Sequence, residues 1–192
     1  MKQNKRIAVT GGIGSGKSTL LNIIRQTGYP VFSCDEVSQT LWKEPAYRNG
    51  LALLFPDCCI NGEIDKQLLT QKVFRYPEER NKLNEYSHGK IMERLFALAA
   101  NEPVAFFEVP LLFESGYEKS FDRVIVVMRQ KQTRLESVSL RDGLSQEQVL
   151  NRINTQTDYE HFAREDVLIV QNDASTEELQ QKFLSLLPSI VQ

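Results

Sequence analysis

An α/β fold with a five-stranded, mostly parallel sheet flanked by helices is predicted by three features of this 192-residue chain. A short apolar run, Ile7-Ala8-Val9, leads into a glycine-rich loop reading G-x-x-x-x-G-K-S from Gly11 to Ser18. The loop leads into Leu20, Leu21, Ile23 and Ile24 at helical spacing. Four further short runs rich in Val, Ile or Phe recur down the chain, as strands buried on both faces require, and helical patterns separate them. That alternation indicates βαβ units with right-handed crossovers.

In order, the strands are expected at Arg6–Thr10, Tyr29–Cys34, Val104–Val109, Arg123–Met128 and Val167–Gln171. A single helix joins the first two. Residues 35–103 then give several times the length one crossover needs. They carry helical signals at Glu36–Lys43, Lys66–Phe74 and Pro77–Ala100, with a turn at Asn61-Gly62 before the later helices. Residues 36–103 therefore read as a helical insertion beside a core made of residues 1–35, 104–128 and 167–192. The second long connection, residues 129–166, carries helices at Gln132–Leu140 and Ser145–Thr155 around the Asp142-Gly143 break. It is polar, holds Arg129, Arg134, Arg141, Arg152 and Arg164, and reads as a mobile lid. Ser175-x-x-Glu178 predicts a capping box for a last helix that ends near Pro188.

Composition narrows the function classes. Hydrophobic content of 41% and charged content of 25% are those of a globular protein with a full core. A net charge of −2 without a long basic run argues against nucleic acid as partner. The first apolar stretch is too short for a signal or membrane segment, so no membrane partner is expected. Three cysteines, two of them the adjacent Cys58 and Cys59, show neither a disulfide framework nor a zinc spacing. A reducing, cytoplasmic setting and a monomer or weak homo-oligomer are the expectations.

The chemistry begins at the loop. Residues Gly12, Ile13, Gly14, Ser15, Gly16, Lys17, Ser18 and Thr19 are expected to bind a nucleoside triphosphate, because backbone amides and a helix N-terminus together enclose phosphate. Glycines at 11, 12, 14 and 16 permit positive φ and leave the backbone open to an anion. Lys17 would reach the β- and γ-phosphates, and the Ser18 hydroxyl would ligate Mg²⁺. Ligands of an open parallel sheet sit at its carboxyl edge, so Ser33-Cys34-Asp35 and the stretch from Glu108 to Glu114 are expected there too. Asp35 is the candidate general base; its bland alternative is an N-cap. Glu108 is a candidate for holding Mg²⁺ through water, or else a strand-end charge facing solvent. The apolar Pro110, Leu111 and Leu112 need a ligand pocket or a packed core. Arg141 is placed to close over a triphosphate, with a solvated surface charge as the alternative. His88, in a predicted helix, has no partner spacing that suggests a metal.

Taken together these residues resemble the dephospho-coenzyme A kinase family over Ile7 to about Asn172. The likeness is sharpest in Thr-Gly-Gly-Ile-Gly-Ser-Gly-Lys-Ser-Thr (10–19) and Val-Pro-Leu-Leu-Phe-Glu (109–114). Leu140-Arg141-Asp142-Gly143-Leu144-Ser145 and Arg152-Ile153-x-x-Gln156 add to it. The resemblance implies a P-loop kinase fold with a nucleotide core, a helical acceptor-binding part and a lid. It implies transfer of the ATP γ-phosphate to the ribose 3′-hydroxyl of 3′-dephospho-coenzyme A, with Mg²⁺. It also implies catalytic roles for Asp35, Lys17 and Arg141, acceptor contacts from Asp35, His88, Pro110, Leu111 and Leu112, and Ser18 and Glu108 at the metal. The chain departs from the family pattern at Ser33 and Glu108, where Asp is usual, at Gly89, where Pro is usual, and at Ser137, where a lid arginine is common. One rival is a kinase for a nucleoside or nucleotide acceptor, using the same loop. A GTP-dependent switch is a second, but the chain has no Asp-x-x-Gly, and Asn81-Lys82-Leu83-Asn84 ends in the wrong residue for a guanine site.

Overall fold

Strand and helix alternate from the start, with β1 (Lys5–Thr10), α1 (Lys17–Gln26), β2 (Val31–Ser33), α2 (Cys34–Lys43) and α3 (Pro45–Leu54). A hairpin of β3 (Cys59–Ile60) and β4 (Glu63–Ile64) follows, then α4 (Lys66–Arg75), α5 (Pro77–Leu98), β5 (Val104–Glu108) and α6 (Leu112–Ser115). The chain continues with β6 (Arg123–Met128), α7 (Lys131–Asp142), α8 (Gln146–Asn154), β7 (Val167–Gln171) and α9 (Thr176–Val191). The computed structural model describes residues 4–159, 162 and 164–192. They fall into two units, one of the chain up to Phe32 and again from Ala99, the other Ser33–Leu98.

The first unit is built on a sheet of order β2-β5-β1-β6-β7. β1 pairs in parallel with β5, placing Val9 opposite Glu108, and with β6, placing Thr10 opposite Val126. β6 pairs in parallel with β7. The central place of β1 follows from its composition: Ile7, Ala8 and Val9 are all fully buried, so both faces must be covered. Alternate residues serve opposite layers. Ile7, Val9, Phe106, Ile125, Val127 and Val170 pack with Leu20, Leu21, Ile23 and Ile24 of α1 and Leu179, Phe183 and Ile190 of α9. Phe107, one position on from Phe106, instead meets the rings of Phe32 and Phe121 at 5.7 and 5.6 Å. Burying each such phenylalanine contributes roughly 1.5–3 kcal/mol.

Expected boundaries shift for local reasons. The second strand is shorter than Tyr29–Cys34: Pro30 supplies only a carbonyl, which accepts from Phe106 N–H at 3.0 Å, and α2 already begins at Cys34. The last helix does not end near Pro188 but runs through it to Val191. Proline removes one donor there, yet burial of Ile190 and a bond from Gln192 N–H to the Pro188 carbonyl hold the final turn. At its start Ser175 Oγ accepts from Glu178 N–H at 3.2 Å. The reciprocal capping box is complete at α8, where Ser145 and Gln148 each bond the other's backbone.

The second unit holds α2 to α5 and a hairpin absent from the expected elements. Asn61 (φ 53) and Gly62 (φ 83) both adopt the left-handed conformation that a two-residue β-hairpin turn requires. Helix α3, also unforeseen, starts on Pro45, whose missing N–H falls where a helix leaves that donor unused. α4 is capped by Asp65, which accepts from Gln67 and Leu68 N–H at 2.9 and 2.8 Å. α3 and α5 are tied by the Tyr47 and Ser87 hydroxyls at 2.8 Å and by Tyr86 OH donating to the Tyr47 carbonyl at 3.2 Å. Among the described residues no helix is long and apolar enough to cross a membrane.

Candidate active site

The loop between β1 and α1 lies where the sheet sends neighbours off in both directions from its central strand, the usual place for a ligand in such folds. Gly11 (φ 145), Gly14 (φ 76) and Gly16 (φ 88) take positive φ. Gly16 forms the N-cap of α1 in the left-handed region, so the helix opens with no side-chain cap on its first amides. Gly12 differs from the sequence expectation. Its φ is not positive, and a Cβ there would stand 2.3 Å from Arg134 Nη2. Glycine serves close approach at this position.

Lys17 folds back onto the loop, its Nζ donating to the Gly11 and Gly12 carbonyls at 2.6 and 3.1 Å. Ser18 is exposed on the first turn of α1, and Thr19 half-buried beside it. Glu108, half-buried, ends β5 in register with Val9. Pro110 is half-buried and Leu112 fully buried, whereas Leu111 is 45% exposed with φ 56. A branched aliphatic residue held there stores roughly 1–3 kcal/mol of strain. Arg141, exposed at the end of α7, spends its guanidinium on Asp142, with Nε and Nη2 donating to the two carboxylate oxygens at 2.7 and 3.0 Å. That bond raises the arginine's pKa and lowers the carboxylate's.

Two predicted site residues belong to the other unit. Asp35 is exposed in the first turn of α2, and among the described residues no hydrogen bond or ion pair engages its carboxylate. The N-cap position is Ser33, so Asp35 does not cap the helix. His88 is half-buried on α5, and burial lowers its pKa, favouring the neutral imidazole. Among the described residues no three His, Cys, Asp or Glu side chains gather as a metal cluster. The Ser18 hydroxyl and Glu108 carboxylate are hard oxygen donors of the kind that suits Mg²⁺, which keeps several waters and binds phosphate oxygens.

Residues beyond those predicted surround the loop. Arg134 is 3% exposed and donates from Nε to the Ile13 carbonyl at 2.8 Å. Gln156 Oε1 accepts from Ile13 N–H at 2.8 Å. Asn172, just past β7, donates from Nδ2 to the Ser15 carbonyl at 2.8 Å. Tyr159 is 4% exposed against the same loop, its phenol pushed up to about 12 by burial with the negative charge of Glu114 adding. A signal existed for Arg134, which stands one helical turn before Val138 on the face α7 buries. Asn172 follows the last strand directly, at the edge where ligands gather.

Comparison with known proteins agrees with this geometry. The family model described as dephospho-CoA kinase matches residues 5–178. A dephospho-CoA kinase of Thermus thermophilus is 33% identical over 188 residues, covering 96% of this chain and 91% of its own. One from Listeria innocua is 32% identical over 197 residues, covering 97% and 98%. Among solved structures, the dephospho-CoA kinase from Campylobacter jejuni superposes with a TM-score of 0.71 at 26% identity, covering 98% of each chain. With the loop, the strand order and the full-length match in agreement, this chain belongs to the dephospho-CoA kinase family.

Proposed function

We propose that this chain transfers the γ-phosphate of ATP to the ribose 3′-hydroxyl of 3′-dephospho-coenzyme A, giving coenzyme A and ADP. The observation that carries this reading is the Gly11–Ser18 loop, set between a fully buried strand and a helix whose N-terminus is left open by Gly16.

In this reading the amides of Gly12 to Thr19 hold the triphosphate, and Lys17 exchanges the Gly11 and Gly12 carbonyls for β- and γ-phosphate oxygens. Ser18 and Glu108 would hold Mg²⁺, which neutralises charge on those phosphates. The acceptor's 3′-oxygen forms the new bond to phosphorus as the bond to the β-phosphate's bridging oxygen breaks. Asp35 accepts the hydroxyl proton. Arg141 leaves Asp142 to meet the charge on the transferring group, with residues 129–166 acting as the lid. The acceptor is received by residues 36–103, with His88, which burial keeps neutral, as one of its contacts. Pro110 and the exposed Leu111 would contribute apolar contacts to it, while Leu112 is fully buried. A cytoplasmic location and a monomer or weak homo-oligomer complete the proposal.

An acceptor panel read by ADP release tests it, with Lys17→Ala as the blank. Dephospho-coenzyme A is expected to turn over and nucleosides and nucleotides to stay at background. Turnover of a nucleoside or nucleotide in its place would transfer the assignment to that rival.

A further inference from the structure

Ile13 is held from three sides. Its N–H donates to Gln156, its carbonyl accepts from Arg134, and its half-buried side chain packs on the small cluster of Val138, Val149 and Ile153. All of these lie on α7, on α8 or just after α8. The fit is close: a Cβ on Gly14 would stand 2.7 Å from Val138 Cγ2. The segment bearing Gln156 is itself anchored, since Thr157 N–H donates to Glu114 Oε1 at 2.6 Å.

A glycine-rich loop has more conformational freedom to lose than any other stretch, so something outside it must fix the direction of its amides. Ile13 is the large apolar residue of the loop, and both of its backbone polar groups are taken by side chains of a later segment. Anything that orders α7 and α8 thereby orders the loop.

We propose that Gln156 and Arg134 are positioning residues for the phosphate loop, acting through the two backbone groups of Ile13. They couple the loop's conformation to the docking of α7 and α8, so that nucleotide binding and docking strengthen each other by the same factor. The inference rests on the nucleotide-binding reading above and deepens it.

The test uses a non-hydrolysable ATP analogue with Mg²⁺, followed by calorimetry and by amide hydrogen exchange, on the wild type, Gln156→Ala and Gln156→Glu. Gln156→Ala is expected to weaken nucleotide binding about tenfold, the size of one hydrogen bond. It should speed exchange across residues 11–16 and leave the acceptor KM unchanged. Gln156→Glu keeps the accepting oxygen and should restore slow exchange at Ile13, even though its charge opposes the triphosphate. In the wild type, nucleotide should slow exchange in α7 and α8. Equal affinity and equal loop exchange in Gln156→Ala overturn the inference, and so does a wild type whose α7 and α8 ignore bound nucleotide. The second outcome decides the matter if Gln156→Ala does not fold. A wild type that binds no nucleotide at all overturns the kinase reading instead.

Discussion

Asn172 Nδ2 lies 2.8 Å from the Ser15 carbonyl oxygen, so the residue just after the last strand fixes a loop made near the start of the chain. A Cβ on Gly16 would stand 2.0 Å from that same nitrogen. Asn172→Ala is expected to cost about 1–3 kcal/mol, because a buried carbonyl loses its donor. Gly16→Ala should cost at least as much, since φ 88 disfavours any Cβ even after the clash is relieved. Urea unfolding of both variants and their double mutant checks this. The double mutant should cost less than the sum of the singles, and strict additivity would refute the proposed contact.

Asp35→Asn should lower kcat about 10²- to 10⁴-fold with little change in either KM, as loss of a general base does. The carboxylate neither caps α2 nor bonds another described residue, so stability should stay within about 0.5 kcal/mol of wild type. Steady-state kinetics beside thermal melts decide. A variant that loses stability but keeps kcat would make Asp35 a structural residue.

Arg141→Ala is expected to reduce kcat/KM by about 10²-fold or more if the guanidinium meets the transferring phosphoryl group. In the present structure its partner is the adjacent Asp142, an exposed pair, so the melting temperature should scarcely move. Asp142→Asn, which releases that fork, should leave kcat at or above wild type. Normal kinetics in Arg141→Ala would return this residue to the surface.

Tyr159 gives a stability effect at high pH. Its folded-state pKa is raised from 10.0 to about 12, so the fold favours the protonated phenol. The associated stabilisation is complete below pH 10 and is lost as pH rises from 10 through about 12. It is on the order of 2–3 kcal/mol. Tyr159→Phe should therefore lose stability less steeply across that window in denaturant titrations. Tyr47 and Tyr86, also raised by burial, contribute the same background to both proteins. Identical slopes would show that Tyr159 ionises freely.

His88 shifts in the opposite sense. Burial lowers its pKa below 6.5, so its contribution is present above pH 6.5 and lost as pH falls through the depressed value. His88→Gln should flatten the acid limb of the stability curve and raise the KM of the acceptor without changing that of ATP. An unchanged acid limb would place the imidazole in solvent.

The amino-acid sequence by itself determined the α/β class, the five sheet strands to within a few residues, and the strand–loop–helix of the glycine-rich segment. Those features are written in local periodicity: fully apolar strands, a helical repeat after Lys17, and glycines where side chains would obstruct. The Asn61-Gly62 turn was legible too, but the strands beside it were not, because two-residue strands such as Cys59–Ile60 and Glu63–Ile64 are too short to show alternation. Helix α3 escaped for a related reason, since Asn49 and Gly50 interrupt its pattern and only packing holds it. Tertiary structure alone decided which later residues grip the loop. Arg134, Gln156, Tyr159 and Asn172 are more than a hundred positions from Ile13, and nothing local marks a side chain whose partner is a distant backbone group. It also decided that Gly12 serves close approach and that Pro188 stays inside α9. Such outcomes depend on which groups compete for the same buried space, and that competition exists only once the chain has folded.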